Sequence, residues 1–180
     1  NISIKASDEF MHAVDEQRQF HDGEFLIYKK DKKSNLQNAN QDFDKIHYST
    51  NIPSKDINDY ELLDSFATFA RLKTWLERKY NINLTKSAFS DILNRDVFGD
   101  YSIELNNEDF DLAIRQSGDF MLYFSSDETG EIRKLIQARD IWDQFVEGNY
   151  KTAEPGLIFW STMSKYSPSN YVDRPIICTN

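Results

Sequence analysis

The stretch ARDIWDQFVEGNYKTAEPGLIFW, residues 138–160, is the feature that most limits the folds open to this chain. Apolar residues recur at helical spacing along its first half, which predicts an amphipathic helix with one inward side. Pro155 and Gly156 then end the helix, and LIFW is typical of a buried strand. A helix that leads through a tight turn into a buried strand is typical of α/β and α+β domains.

The N-terminal residues repeat this alternation of strand and helix. NISIK alternates polar and apolar residues, and GEFLIYKK has an apolar centre, so both predict strands. Between them, Ser7 is suited to cap a helix, and Asp8 and Glu9 are favourable in its first turn. The stretch from 31 to about 56 is rich in Asn, Asp, Lys and Ser and predicts a long loop.

The middle of the chain predicts three helices and three strands. NDYELLDSFATFARLKTWLERKY has apolar residues at helical spacing, a shorter helix begins after Thr85, and EDFDLAIRQ predicts another short helix. YSIEL predicts a strand. DFMLYF and EIRKLI flank the acidic, glycine-ended SSDETG, which predicts a hairpin. The whole order of elements favours an α/β or α+β arrangement.

Composition excludes several classes of function. The net charge of −9, from 30 acidic and 21 basic residues, argues against a nucleic-acid partner, because duplex binding requires clustered cations. No apolar run approaches the roughly 20 residues that span a bilayer, and the first residues lack the pattern of a signal peptide. The single cysteine, Cys178, excludes an internal disulfide and suits a cytoplasmic location.

Residue chemistry alone indicates no self-contained active site. The three histidines lack the paired spacing of a zinc site, and the six glycines form no phosphate-binding loop. Cys178 follows two isoleucines and is interpreted as a small buried hydrophobe rather than a redox thiol. Large aromatic residues follow helix faces and predict core packing rather than base stacking. They are Phe66, Phe69, Trp75 and Trp142.

Three stretches, in order, resemble the catalytic chain of ribonucleotide reductases, most closely the adenosylcobalamin-dependent (class II) group. NISIKASDEFMHAV is similar to a strand and helix of that family, and the stretch beginning IQARDIW is similar to a later helix. Its AEPGLIFW run is similar to the Glu-Pro-Gly turn and strand that follow that helix. ICTN is similar to the lead-in to the family's Thr-Asn-Pro-Cys-Gly-Glu active-site loop.

This resemblance implies an α/β fold: a fragment of the family's ten-stranded α/β barrel, with a mainly helical insertion. It implies that Asn180 binds the sugar of a ribonucleotide substrate, and that the radical cysteine would lie two residues after Asn180. Cys178 lies two residues before it and does not inherit that role, so no catalytic residue is expected within these 180. The fragment alone is expected to be inactive. The implied cofactor is adenosylcobalamin, bound outside this fragment, and the implied partner is the remainder of the catalytic chain, with a homodimer left open.

The three similar stretches also predict a division of the chain into segments. Residues 1–30 and 126–180 are expected to belong to the barrel, and residues 31–125 to be a lineage-specific insertion made of a loop followed by helices. Both ends suggest a piece of something longer. The alternative interpretation is a non-catalytic interaction module centred on 57–95. In that module, an apolar groove would receive a partner, lined by Leu62, Phe66, Phe69 and Leu76.

Overall fold

The computed structural model describes residues 3–32 and 59–168. Strands and helices are interleaved through these two ranges. The strands are Ser3–Ala6 (β1), Phe25–Asp31 (β2), Tyr60–Phe66 (β3), Tyr101–Ile103 (β4), Phe110–Gln116 (β5), Asp119–Ser126 (β6), Gly130–Gln137 (β7) and Gly156–Phe159 (β8). The helices are Asp8–Gln19 (α1), Phe69–Tyr80 (α2), Lys86–Ser90 (α3), Ala138–Thr152 (α4) and Trp160–Lys165 (α5), with a 3₁₀ turn at Ile92–Asn94.

Four antiparallel strands form the largest sheet, in the order β3-β2-β5-β4. Helix α2 covers one face of this sheet, because Leu72 and Leu76 project from one side of the helix and are fully buried. Thr68 has an extended backbone, and its hydroxyl accepts a hydrogen bond from the Arg71 amide at 3.4 Å, so the helix begins at Phe69. The core of this unit consists of Ile27, Leu72, Leu76, Leu84, Phe89, Leu105, Leu112 and Ile114.

Two segments predicted as helical are strands, so the description of the insertion as mainly helical is wrong for its described part. YELLDSF (β3) pairs with β2 from Phe25↔Phe66 to Lys30↔Tyr60, and helix forms only beyond Thr68. FDLAIRQ (β5) lies between β2 and β4. Because its five central residues are all buried, it lacks the alternation that reveals a half-exposed strand.

The other predicted helices and strands are confirmed, whereas the loop predicted from 31 to about 56 lies, beyond residue 32, outside the described residues. Ser7 caps α1 by accepting a hydrogen bond from the Phe10 amide at 3.3 Å, with Asp8 and Glu9 in the first turn. The hairpin of β6 and β7 pairs in register around the predicted turn, and YSI forms β4. The shorter helix begins after Thr85 as predicted. Helix α4 and strand β8 also form, although β8 is half-buried rather than buried and Phe159 at its end is exposed.

A second layer holds the two ends of the described chain together. Strands β1 and β8 pair in parallel, from Ser3↔Gly156 to Ala6↔Phe159. Helices α1 and α4 pack on each other through Ala13, Val14 and Ala138, with Phe10, Phe120 and Trp142 against them. Among the helices of the described ranges, none is both long and apolar enough to cross a membrane.

The chain passes from this second layer into the four-stranded sheet, and back again, at nearly the same point. The Ser117 amide donates to the Glu24 carbonyl at 2.8 Å, so the chain enters β2 and exits β5 side by side. Gly118 follows at a φ of +79° and lies against the Gln17 side chain, close to the end of α1. β2 therefore shares its sheet with three strands from 31–125, and the division of the chain at residues 30 and 125 remains a prediction.

Candidate functional site

The carboxyl ends of β1 and β8 form the first candidate site. In parallel sheets, ligands bind beyond the carboxyl ends of the strands. Here the Asp8 amide, just after β1, donates to the Ser161 hydroxyl just after β8, at 3.1 Å. The Lys5 ammonium lies over the ring of Trp160, 3.7 Å from its centre. These contacts fix the two strand ends to each other and place polar groups at one edge of the sheet.

Arg115 is the centre of the second candidate site, a cluster of buried charges. Its side chain is 2% exposed. Its guanidinium lies 3.1 Å from the Asp100 carboxylate and 3.3 Å from that of Glu16, and it donates to the Asp119 carbonyl. Fixed pairing of this kind is what allows charges to be buried, because an unpaired buried charge is strongly destabilising.

Glu16 connects this cluster to helix α1. Its carboxylate accepts a hydrogen bond from the Tyr28 hydroxyl at 2.8 Å and from the Gly118 amide at 3.1 Å, and lies 3.3 Å from the His12 imidazole. Burial alone would raise the pKa of Glu16. The Arg115 guanidinium and hydrogen bonds from His12 and Tyr28 outweigh burial and hold that pKa below its usual range. Glu16 therefore remains a carboxylate that links α1 to the sheet.

Asp119 also contacts Arg115, but the pKa of its carboxyl group is shifted in the opposite direction from that of Glu16. Its carboxylate accepts from the Gln137 amide at 2.9 Å and lies 4.0 Å from Arg95. Burial raises the pKa of Asp119 to about 6, against the opposing effect of the guanidinium groups of Arg115 and Arg95. The grooves found among the described residues are not lined by any member of this cluster. Its geometry is that of a joint between the sheet and α1, rather than of a site open to substrate.

The raised pKa of Asp119 predicts a pH-dependent stability. Between about pH 4 and pH 6 the Asp119 carboxyl is protonated in the folded protein and ionised in the unfolded chain. The stabilisation from this bound proton is therefore present at low pH and is lost as pH rises through about 6. Asp119→Asn is expected to remove this dependence. The difference in unfolding free energy between wild type and variant, from urea denaturation, should change by about 2 to 3 kcal/mol between pH 4 and pH 7.

A matched replacement checks that this change arises from burial. Asp127 is an exposed carboxylate in the turn between β6 and β7. Asp127→Asn should leave the difference from wild type constant over the same pH range. A constant difference for Asp119→Asn as well would show that Asp119 ionises as an ordinary carboxylate.

The residues predicted from sequence as functional are not brought together in the described ranges. Asn180 and Cys178 lie outside those ranges, as does His47. His12 contacts Tyr28 and Glu16, which is a structural position. The aromatic residues predicted to pack in the core do so.

The apolar partner groove of the alternative interpretation is not supported. Leu76 is fully buried, and Phe66 and Phe69 pack against the same core, so these residues hold α2 to the sheet. Leu62, at 40% exposure, is the one member of that set on the surface. The buried cluster around Arg115 was missed from sequence because charged residues are normally exposed. The sequence signal for a buried charge was FDLAIRQ, in which an arginine lies among the apolar residues of a strand that is buried on both faces.

Comparison with known proteins gives a partial relationship. No family model and no solved structure matches the chain. Over 67 residues, the chain is 33% identical to a vitamin B12-dependent ribonucleoside-diphosphate reductase from Thermoplasma acidophilum. The match covers 33% of this chain and 9% of that relative, so the chain corresponds to a small part of the relative's length. Part of this chain is thus similar to part of a ribonucleotide reductase.

Proposed function

We propose that this chain is part of a ribonucleotide reductase catalytic chain, which converts ribonucleotides to deoxyribonucleotides by thiyl-radical chemistry. The partial identity to the Thermoplasma acidophilum enzyme supports the proposal, together with the three stretches that resemble the family in the same order. The fold proposed for the whole protein is the α/β barrel of that family, to which β1 and β8 would contribute strands.

The parallel pairing of β1 with β8 is the observation that carries this proposal. SIKA (β1) and GLIF (β8) lie at opposite ends of the described chain, and each belongs to a stretch that resembles the family. They become adjacent strands, with α1 and α4 packed together beside them. An α/β barrel requires this arrangement of neighbouring parallel strands joined through helices.

Within this proposal, Asn180 is the one residue of the chain that contacts substrate. An amide side chain can both donate to and accept from sugar hydroxyls, which would orient the ribose for hydrogen abstraction. Adenosylcobalamin, when bound, would supply the radical. We expect the cofactor to bind elsewhere in the whole protein, and residues 1–180 alone to be inactive.

The complete protein, encoded by the gene that contains this sequence, provides the test. It is expected to form deoxycytidine nucleotides from cytidine diphosphate or triphosphate with adenosylcobalamin and dithiothreitol, without a second subunit. Asn180→Ala should lower the rate by about tenfold to a hundredfold, because a positioned hydrogen-bonding group is lost. Nucleotide products would be quantified by liquid chromatography.

Cys178→Ser is the matched control, since Cys178 is close in sequence but is not expected to react. It should retain the rate of the wild type. If activity requires a separate metal-containing subunit, that subunit rather than cobalamin is the radical source. If the gene does not continue with Pro-Cys-Gly-Glu after Asn180, the assignment of Asn180 and of the reaction fails.

A further inference from the structure

A groove of about 710 Å³ runs along the outer side of α2, beside the end of β3. Arg71, Arg78 and Lys79 line it, and none of its lining residues carries a carboxylate. Neither Arg71 nor Arg78 has a side-chain partner among the described residues. In a chain with a net charge of −9, three cations with no carboxylate among the lining residues make this groove a local site for negative charge.

Two small residues of α2 line the groove beside the arginines. Ala70 and Thr74 lie one helical turn apart, and small residues at this spacing let a second helix approach closely. Phe66 and Trp75 form one wall, with ring centres 5.7 Å apart. Lys79 lies 4.7 Å above the Trp75 ring. That lysine occupies a face of the ring on which a nucleic-acid base would stack.

The spacing of the arginines matches the repeat of a helix packed alongside α2. Arg71 and Arg78 are seven residues apart, which places them on one side of α2 with a separation of about 10 Å along the axis. Acidic residues seven apart on a helix packed alongside α2 would have the same separation, and such helix-in-groove contacts combine an apolar stripe with flanking charges.

We propose that this groove binds an acidic amphipathic helix of a protein partner. The apolar stripe of that helix would lie on Ala70 and Thr74, and its carboxylates would pair with Arg71 and Arg78, which come next around α2. A polynucleotide fits less well, because the groove offers a short basic strip on an acidic protein, whereas nucleic acids require a larger cationic footprint. This inference concerns α2 and does not depend on the reductase reaction.

Binding of a designed peptide to the 180-residue chain tests the proposal. The probe is a fluorescein-labelled helical peptide with glutamates seven residues apart beside a stripe of leucines, followed by fluorescence anisotropy. Arg71→Glu/Arg78→Glu is expected to weaken its affinity at least about tenfold, since both charge pairs become repulsive. The counterpart peptide, with lysines in place of glutamates, should bind that variant more tightly than it binds wild type.

Lys86→Glu/Lys134→Glu makes the same change in net charge at exposed positions outside the groove. It should leave the affinity for the acidic peptide unchanged, and equal weakening by both variants would overturn the proposal. So would displacement of the peptide by a thymidine oligonucleotide, which would make the occupant a nucleic acid. If the chain self-associates in sedimentation experiments and Arg71→Glu/Arg78→Glu abolishes that association, the occupant of the groove is a second copy of the chain. Absence of peptide binding to wild type would also overturn it.

Discussion

Replacement of Arg115 by methionine is expected to lower the free energy of unfolding by about 3 to 5 kcal/mol, because it leaves buried carboxylates without their cation. Asp100 is fully buried and Glu16 nearly so, and each lies within 3.3 Å of the Arg115 guanidinium. Methionine preserves most of the side-chain volume, so the loss reports the charge rather than a cavity. Urea denaturation at pH 7, followed by circular dichroism, measures it.

Three further variants separate pairing from other effects of this substitution. Arg71→Met replaces an exposed arginine and should change stability by less than about 0.5 kcal/mol. Glu16→Gln in the Arg115→Met background should recover part of the loss, because one of the stranded charges is removed. Arg115→Lys keeps the charge and should fall between wild type and methionine, which provides a measurable state if the methionine variant does not fold. A loss below about 1 kcal/mol for Arg115→Met would show that the carboxylates do not need this cation.

Leu76→Ala is expected to lower the free energy of unfolding by about 2 to 5 kcal/mol, the range for a fully buried leucine truncated in a packed core. Leu76 attaches α2 to the four-stranded sheet, in the cluster that also contains Leu72 and Ile114. The truncation removes three carbons from the centre of that contact and leaves a cavity. Thermal and urea denaturation would both detect the change.

Leu93→Ala is the matched control for this truncation. Leu93 is 77% exposed, so the same loss of atoms should change stability by less than about 0.5 kcal/mol. The comparison also discriminates between the core and partner-groove interpretations of the apolar side of α2. If Leu76→Ala leaves stability unchanged, Leu76 would be available to a partner after all.

Elements with a local signal in the sequence were predicted well. Ser7 has a hydroxyl that can reach the amide of Phe10, and SSDETG supplies the turn residues of a hairpin, so both features follow from neighbours within a few positions. Helix α4 formed as predicted and packs on α1 through Ala138 and Trp142, although Ile141, Val146 and Tyr150 on its predicted inward side are exposed. The short segments YELLDSF and FDLAIRQ were predicted wrongly, because each is compatible with helix or strand until a pairing strand is known.

The sequence by itself determined the local elements, the acidic balance and the resemblance of three stretches to one enzyme family. Only the tertiary structure decided that β1 lies beside β8, and that Glu16, Asp100 and Arg115 share one buried site. These residues are far apart along the chain, and the sequence around a charged residue does not indicate which residue it will pair with. Their association arises when the sheet packs against α1, since the free energy of burying each charge depends on the others being present.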